Sequence, residues 1–266
     1  MSTPENTFKS ALAAGQLQIG FWQSLATAIT AEISAYAGFD WLLIDGEHGA
    51  NDLRSIRDQL QVVGPSPSQA VVRISGVDVV EVKQVMDAGA QSILVPIVNT
   101  AEDAALMAAA MRYPPDGIRG NGAGVARASD YGRNAHYLKD ANSRACLLVQ
   151  AETAEALGNL EAICAVEGVD GVFIGPADLA TSLGHHGNPM HPDVQNAIED
   201  AIQRIRAAGK APGILMANEE RVRRYIELGA LFVAVGSDVA ILAGGAKALA
   251  GKYLGGTSAA DKNRVY

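Results

Sequence analysis

Two carboxylates, Glu152 in LLVQAET and Asp178 in GPADL, each follow an apolar run of the kind that forms a buried strand. Acidic groups at neighbouring strand ends suit a hard divalent cation that keeps waters and borrows oxygens from its substrate. A 2-keto acid offers such a chelate through its carboxylate and keto oxygens. Arg73 ends the apolar run VVRI, where a guanidinium is costly to bury without an anionic partner. A developing enolate oxygen is a natural partner, because preorganised positive charge aimed at it lowers the barrier. His48, in IDGEHG, is the one histidine at a predicted strand end, and imidazole suits proton transfer near neutral pH.

These groups need a scaffold that gathers strand ends. Eight short segments read as strands: Gln18 to Gln23, Trp41 to Gly46, Ala70 to Ser75, Ser92 to Val98, Ala145 to Glu152, Gly171 to Pro176, Lys210 to Met216 and Leu231 to Ser237. Most are almost continuously apolar (WLLID, ILVPIV, CLLVQ, GVFIG), as parallel strands buried on both faces are. Helical patterns alternate with them: Thr27 to Ala37, Asp52 to Val63, Val77 to Ala88, Thr100 to Arg112, Thr153 to Ala165, Pro192 to Ala208, Glu219 to Leu228 and Val239 onward. Gly38, Gly89, Gly209 and Gly229 stand where helices should stop. Strand and helix in alternation predict an α/β fold, a single (β/α)8 TIM barrel over residues 1–266, with an open eight-stranded sheet as the alternative. The length of 266 residues fits one such barrel.

In a barrel the chemistry lies at the carboxyl ends of the strands. There the sequence places Trp22 and Gln23, then Asp45, Glu47 and His48, then Arg73, Asn99, Gln150 and Glu152, Asp178, Leu215 and Met216, and Ser237 with Asp238. A helix starting within GPADLA would leave free amides at Ala177 and Asp178 to receive a carboxylate. A Schiff-base lysine is the rival route to pyruvate chemistry. None of Lys9, Lys83, Lys139, Lys210, Lys247, Lys252 and Lys262 falls at a predicted strand end, and Lys210 begins a strand instead. That favours a metal as electron sink and no organic cofactor.

Tyr113 to Arg144 breaks the rhythm, being too long for an ordinary connection, and reads as a subunit-contact arm or a functional loop. The polar tail from Gly255 is expected to fray. A net charge of −8 offers no field for nucleic acid or anionic membrane, and no apolar run approaches the roughly 20 residues of a bilayer span. Cys146 and Cys164 read as small buried hydrophobes, so a cytoplasmic enzyme is expected. His185, His186 and His191 in LGHHGNPMHP resemble a metal cluster, yet the same stretch fits plain turn chemistry. Asp45 and Glu47 read as holders of loop amides or of Arg73, direct catalysis being the other option. GIRGNG lacks the preceding strand and the lysine of a phosphate loop.

GFDWLLIDGEHG, AVVRIS, ILVPIVNTAEDA, RYPPDGIRGNG, LLVQAET, EGVDGVFIGPADL and GKAPGILMANEE, in that order from Phe8 to Lys252, make the chain similar to the HpcH/HpaI aldolases. These are class II pyruvate aldolases acting on 4-hydroxy-2-oxoheptanedioate and on keto-deoxy sugar acids. The resemblance implies a barrel of the phosphoenolpyruvate/pyruvate-domain type and cleavage to pyruvate, or an analogue such as hydroxypyruvate, plus an aldehyde. It implies His48 as general base, Arg73 as enolate stabiliser, Glu152 with Asp178 as ligands of Mg²⁺, Mn²⁺ or Co²⁺, and Gln150 and Ala177 at the keto acid. It further implies a homohexamer, a dimer of trimers, in which the arm is a contact. It assigns Asp87, in VMDAGA, to raising the basicity of His48. That last role conflicts with the predicted topology, since Asp87 ends a helix returning to the amino face, so the pair would need a neighbouring subunit or an irregular helix end. Ile74 and Ala151 depart from the family pattern beside the arginine and the glutamate, which points to a different aldehyde pocket. The rivals are a citrate-lyase-β-like acyl-CoA lyase on the same barrel and a non-catalytic keto-acid-binding protein.

Overall fold

The structure is a computed structural model that describes residues 3–254. The chain enters through α1 (Thr7–Ala13) and continues as β1 (Gln18–Gln23), α2 (Ala28–Ala35), β2 (Trp41–Asp45), α3 (Leu53–Val63), β3 (Gln69–Arg73), α4 (Val79–Asp87), β4 (Ser92–Val95) and α5 (Ala101–Ala110). The arm ends in α6 (Tyr137–Arg144), and β5 (Cys146–Ala151), α7 (Ala154–Gly158), α8 (Leu160–Ala165), β6 (Val169–Ile174), α9 (Pro176–Ser182) and α10 (Pro192–Ala207) follow. The barrel is completed by β7 (Ala211–Leu215), α11 (Glu219–Glu227), β8 (Phe232–Ser237) and α12 (Asp238–Leu254). The eight strands pair in parallel, each with its sequence neighbour, and β1 closes on β8. All eight expected strands are present, and closure excludes the open sheet.

The continuous apolar runs follow from burial on two sides, as in β2, where all five residues are buried. One face of each strand points into the barrel, where Trp22, Trp41, Leu43, Val71, Leu148, Phe173 and Phe232 pack together. The other face meets the helices in a second, larger cluster that includes Ile44, Val72, Ile93, Val149 and Ile198. The amino end of the barrel is closed by Phe8 of α1, whose ring lies 5.7 Å from Trp41 and 6.1 Å from Phe232. Glycine supplies the room for these rings. A Cβ on Gly20 would lie 2.1 Å from the Trp41 ring, and one on Gly213 would lie 2.2 Å from Phe232.

Several features differ from the sequence expectations. The helix α1 was not among the predicted elements, although Phe8 and Leu12 stand four apart behind an Asn6 cap that accepts the Lys9 N–H. The fifth crossover divides into α7 and α8 around Gly158 and Asn159. β3 and β4 end at Arg73 and Val95, short of the predicted Ser75 and Val98, and β6 begins at Val169, two residues before the predicted Gly171. The arm contains α6, and its Arg119 is buried over the arm's own Tyr113 ring at 4.5 Å and pairs with Asp87 of α4. Both cysteines are free and buried. Among the described residues no helix is long and apolar enough to cross a membrane. The predicted frayed tail from Gly255 lies outside the described residues.

The packing at Gly213 generates a test. Gly213→Ala forces a methyl group into the Phe232 ring, and overpacking of this kind costs roughly 1–3 kcal/mol. Thermal unfolding should show a lowered midpoint for Gly213→Ala and a partial recovery when Phe232→Leu is added. A single variant as stable as wild type would contradict the close approach.

Candidate active site

Register brings the mouth together. β2 and β3 pair with Asp45 opposite Arg73, so the two side chains leave neighbouring strand ends side by side. The Asp45 carboxylate accepts Arg73 Nε–H at 2.9 Å on Oδ1 and Arg73 Nη2–H at 2.8 Å on Oδ2. It also accepts the Trp22 indole N–H at 3.0 Å and the backbone N–H groups of Glu47 and His48 at 3.1 and 3.2 Å. Burial alone would raise the pKa of Asp45, but the hydrogen bonds and charge of Arg73, with Trp22 and the His48 amide, outweigh it and hold the group below its ordinary value. Trp22 also lies under the Arg73 guanidinium, 4.9 Å away. Of the two readings of Asp45, the structure supports the holder of loop amides and of Arg73.

Glu47 completes the clamp as an ion pair rather than an aligned hydrogen bond, its Oε2 lying 2.7 Å from Arg73 Nη1. Its Oε1 lies 3.8 Å from His48 Nε2. Burial lifts the Glu47 pKa; the charges of Arg73 and His48 oppose that, and Asp45 and Asp178 add to it. The His48 side chain is 61% exposed, which leaves its ring open to a bound molecule.

Glu152 stands at the end of β5 and is almost fully buried. Its Oε1 accepts the backbone N–H of Ile97 at 2.9 Å, and its Oε2 accepts a short hydrogen bond from the Gln150 amide. A Cβ on Gly175 would lie 2.1 Å from Glu152 Oε2, so glycine between β6 and α9 leaves that carboxylate its place. Asp178 lies in the first turn of α9, behind the N-cap Gly175 and Pro176. This agrees with a helix start in GPADLA. The Glu152 pKa is pushed up to about 7, first by burial; the carboxylates of Asp178 and Glu47 push the same way against the Ile97 N–H and Gln150. Carboxylates near enough to oppose the charge on Glu152 favour a divalent cation, and the buried Gln150 Oε1, which has no hydrogen-bond partner, is a further free oxygen. Residues of hard oxygen chemistry therefore fit the predicted cation. Beside them a small cavity of about 10 Å³ is walled by Trp22, Phe173 and Leu215, with Arg73, Gln150, Ala177 and Asp178 also on its lining. A larger groove of about 870 Å³ runs over the outer helices near Arg112 and Glu167 and shares no residue with this cluster.

Asp87 is not brought to His48 within the chain. It ends a regular α4 and pairs with Arg119 of the arm. The histidine loop shows the turn chemistry that its sequence allowed. The His185 and His191 rings stack with centroids 3.6 Å apart and planes inclined by 15°, and His191 Nδ1 accepts the Asp193 N–H at the start of α10. These two imidazoles and Asp193 cluster, but rings stacked this way do not aim their in-plane lone pairs at one ion. Lys210 precedes β7 and donates to the Val169 carbonyl, at the amino end of the barrel, as expected. Sequence reasoning missed Ile97 and Gly175, whose contribution is backbone geometry. A glycine before PAD was the available signal for the second.

Comparison with known proteins gives the family and agrees with the fold. The family model described as HpcH/HpaI aldolase/citrate lyase matches residues 18–244. The chain is 58% identical over 260 residues to 4-hydroxy-2-oxo-heptane-1,7-dioate aldolase of Klebsiella pneumoniae subsp. pneumoniae, covering 97% of this chain and 98% of that one. A crystal structure of an HpcH/HpaI aldolase/citrate lyase family protein from Burkholderia cenocepacia superposes with a TM-score of 0.89 at 37% identity, over 93% of this chain and 98% of the other. An HpcH/HpaI aldolase from Desulfitobacterium hafniense gives 0.83 at 30%, over 91% and 96%.

The raised Glu152 pKa sets a pH dependence. Between the ordinary value of 4.5 and about 7 the folded state binds a proton that the unfolded chain has released. Stability from this group is thus present at low pH and lost as pH rises through that window. The displacement corresponds to about 3 kcal/mol. Chemical denaturation of metal-free protein from pH 5 to 8 should show wild type losing stability relative to Glu152→Gln. Parallel curves would contradict it.

Proposed function

Because the chain belongs to the HpcH/HpaI aldolase/citrate lyase family, we propose that it is a carbon–carbon lyase, reversibly cleaving 4-hydroxy-2-keto acids to pyruvate, or a close analogue such as hydroxypyruvate, and an aldehyde. The observation that carries this reading is the convergence of Glu152, Asp178, Arg73 and His48 at one barrel mouth beside a small, partly apolar cavity. Glu152 and Asp178 would hold Mg²⁺, Mn²⁺ or Co²⁺, which when bound supplies a Lewis acid for the carboxylate and keto oxygens of the substrate.

The chain's own groups do the rest. Gln150 and Ala177 border the keto acid and fix its orientation. His48, directly or through a water, takes the proton from the hydroxyl on the fourth carbon. As that oxygen becomes an aldehyde carbonyl, the bond between the third and fourth carbons breaks and its electron pair passes into the pyruvate enolate. Arg73 presents fixed positive charge to the enolate oxygen, and Asp45 and Glu47 keep the guanidinium from reorienting. Protonation of the third carbon releases pyruvate. Synthesis reverses these steps.

The protein assembles as a homohexamer, a dimer of trimers, in the cytoplasm. Support for assembly comes from apolar faces that one chain leaves open: Ile29 and Ile33 are 70% exposed on α2, and Leu249, Tyr253 and Leu254 are exposed on α12. In such an assembly Asp87 would serve the His48 of a neighbouring copy.

Retro-aldol assays over a panel of 4-hydroxy-2-keto acids should show release of pyruvate that EDTA abolishes and Mn²⁺ or Mg²⁺ restores. Full activity after rigorous chelation, or borohydride trapping of pyruvate on a lysine, would overturn the metal route. Arg73→Lys keeps one charge but loses the fork that grips both Asp45 oxygens. It should lower kcat roughly 10²- to 10³-fold. A kcat near wild type would remove Arg73 from the enolate.

A further inference from the structure

Ile97, immediately after β4, has φ at +50°, in the left-handed region that disfavours β-branched side chains. Its side chain is also left half in solvent, with the residue 51% exposed. Both features are unfavourable for isoleucine. The backbone here is clipped across the end of β5, with the Ile97 N–H on Glu152 Oε1 at 2.9 Å and the Val98 N–H on the Gln150 carbonyl at 3.0 Å. Glycine or asparagine would make the same hydrogen bond at φ +50° with less strain. The hydrogen bond therefore explains the backbone but not the side chain.

The mouth that Glu152 borders gives the side chain a role. The cavity walled by Trp22, Phe173 and Leu215, at about 10 Å³, is room for about one water, so a substrate held at Glu152 lies mostly over the open mouth. The aldehyde portion then extends over the rim, and Ile97, whose N–H is bonded to Glu152, offers an exposed apolar surface there. The relatives' 4-hydroxy-2-oxo-heptane-1,7-dioate, cut between its third and fourth carbons, leaves an aldehyde with two methylenes before a carboxylate. We infer that Ile97 is a specificity-determining residue for the aldehyde, its side chain forming the wall against which a methylene chain packs; this rests on the aldolase reading above.

The test is aldol addition of pyruvate to acetaldehyde, propanal, butanal and pentanal by wild type, Ile97→Gly and Ile97→Asn, both of which accept the left-handed backbone. The ratio of kcat/KM for pentanal to that for acetaldehyde should fall about tenfold in both variants, the loss that one poorly packed methylene brings in an apolar pocket. An equal fall for every aldehyde, or an unchanged ratio, overturns the inference. So does a changed sedimentation coefficient with an unchanged ratio, which would assign Ile97 to a contact between copies. A wild-type enzyme inert toward all four aldehydes and in the retro-aldol direction overturns the aldolase reading and this inference with it. An active wild type with insensitive variants overturns this inference alone.

Discussion

One carboxylate organises the mouth of the barrel. Asp45 accepts both forks of Arg73, the Trp22 indole and the amides of Glu47 and His48, which joins three strands and the loop carrying the histidine. A buried guanidinium needs this much compensation, because neither ion recovers its lost hydration from a single partner. The result is a cation that is charged, fixed in direction and still edged by a cavity. Position, more than charge, is what a transition state gains from such a group.

The opposite wall is built on repulsion. Burial raises the proton affinity of Glu152, the carboxylates of Asp178 and Glu47 push it the same way, and the group is held in place by a peptide N–H and the Gln150 amide despite it. The barrel tolerates that tension because its strands are closed into a ring and its helices pack outside them. The clamped Arg73 and the Glu152–Asp178 pair come from different elements, β2 with β3 on one side and β5 with α9 on the other. Closure sets their separation.

Much of this was legible in the sequence, for physical reasons. Parallel strands buried on two faces cannot hide their apolar runs, so the strand count and the strand-end residues followed directly. His48, Arg73, Glu152 and Asp178 stand out because polar groups are scarce among those runs. α1 was harder to see, since a seven-residue helix with two buried side chains leaves little periodicity. Ile97 was invisible, because a left-handed φ at a β-branched residue has no compositional sign. Asp87 was read correctly as distant from His48 in one chain, since a helix returning from the mouth must end at the other face; its partner Arg119 came from the arm, whose path no periodicity predicts.

Phe8 closes the amino end of the barrel against Trp41 and Phe232, far from the mouth. The apolar plug and the reactive rim are therefore two separate territories of one domain, with the strands as rods between them. Descendants of this chain can trade residues around the rim, and with them the aldehydes accepted, while the plug keeps the fold above its stability threshold. Substrate range is then free to drift on a scaffold that does not.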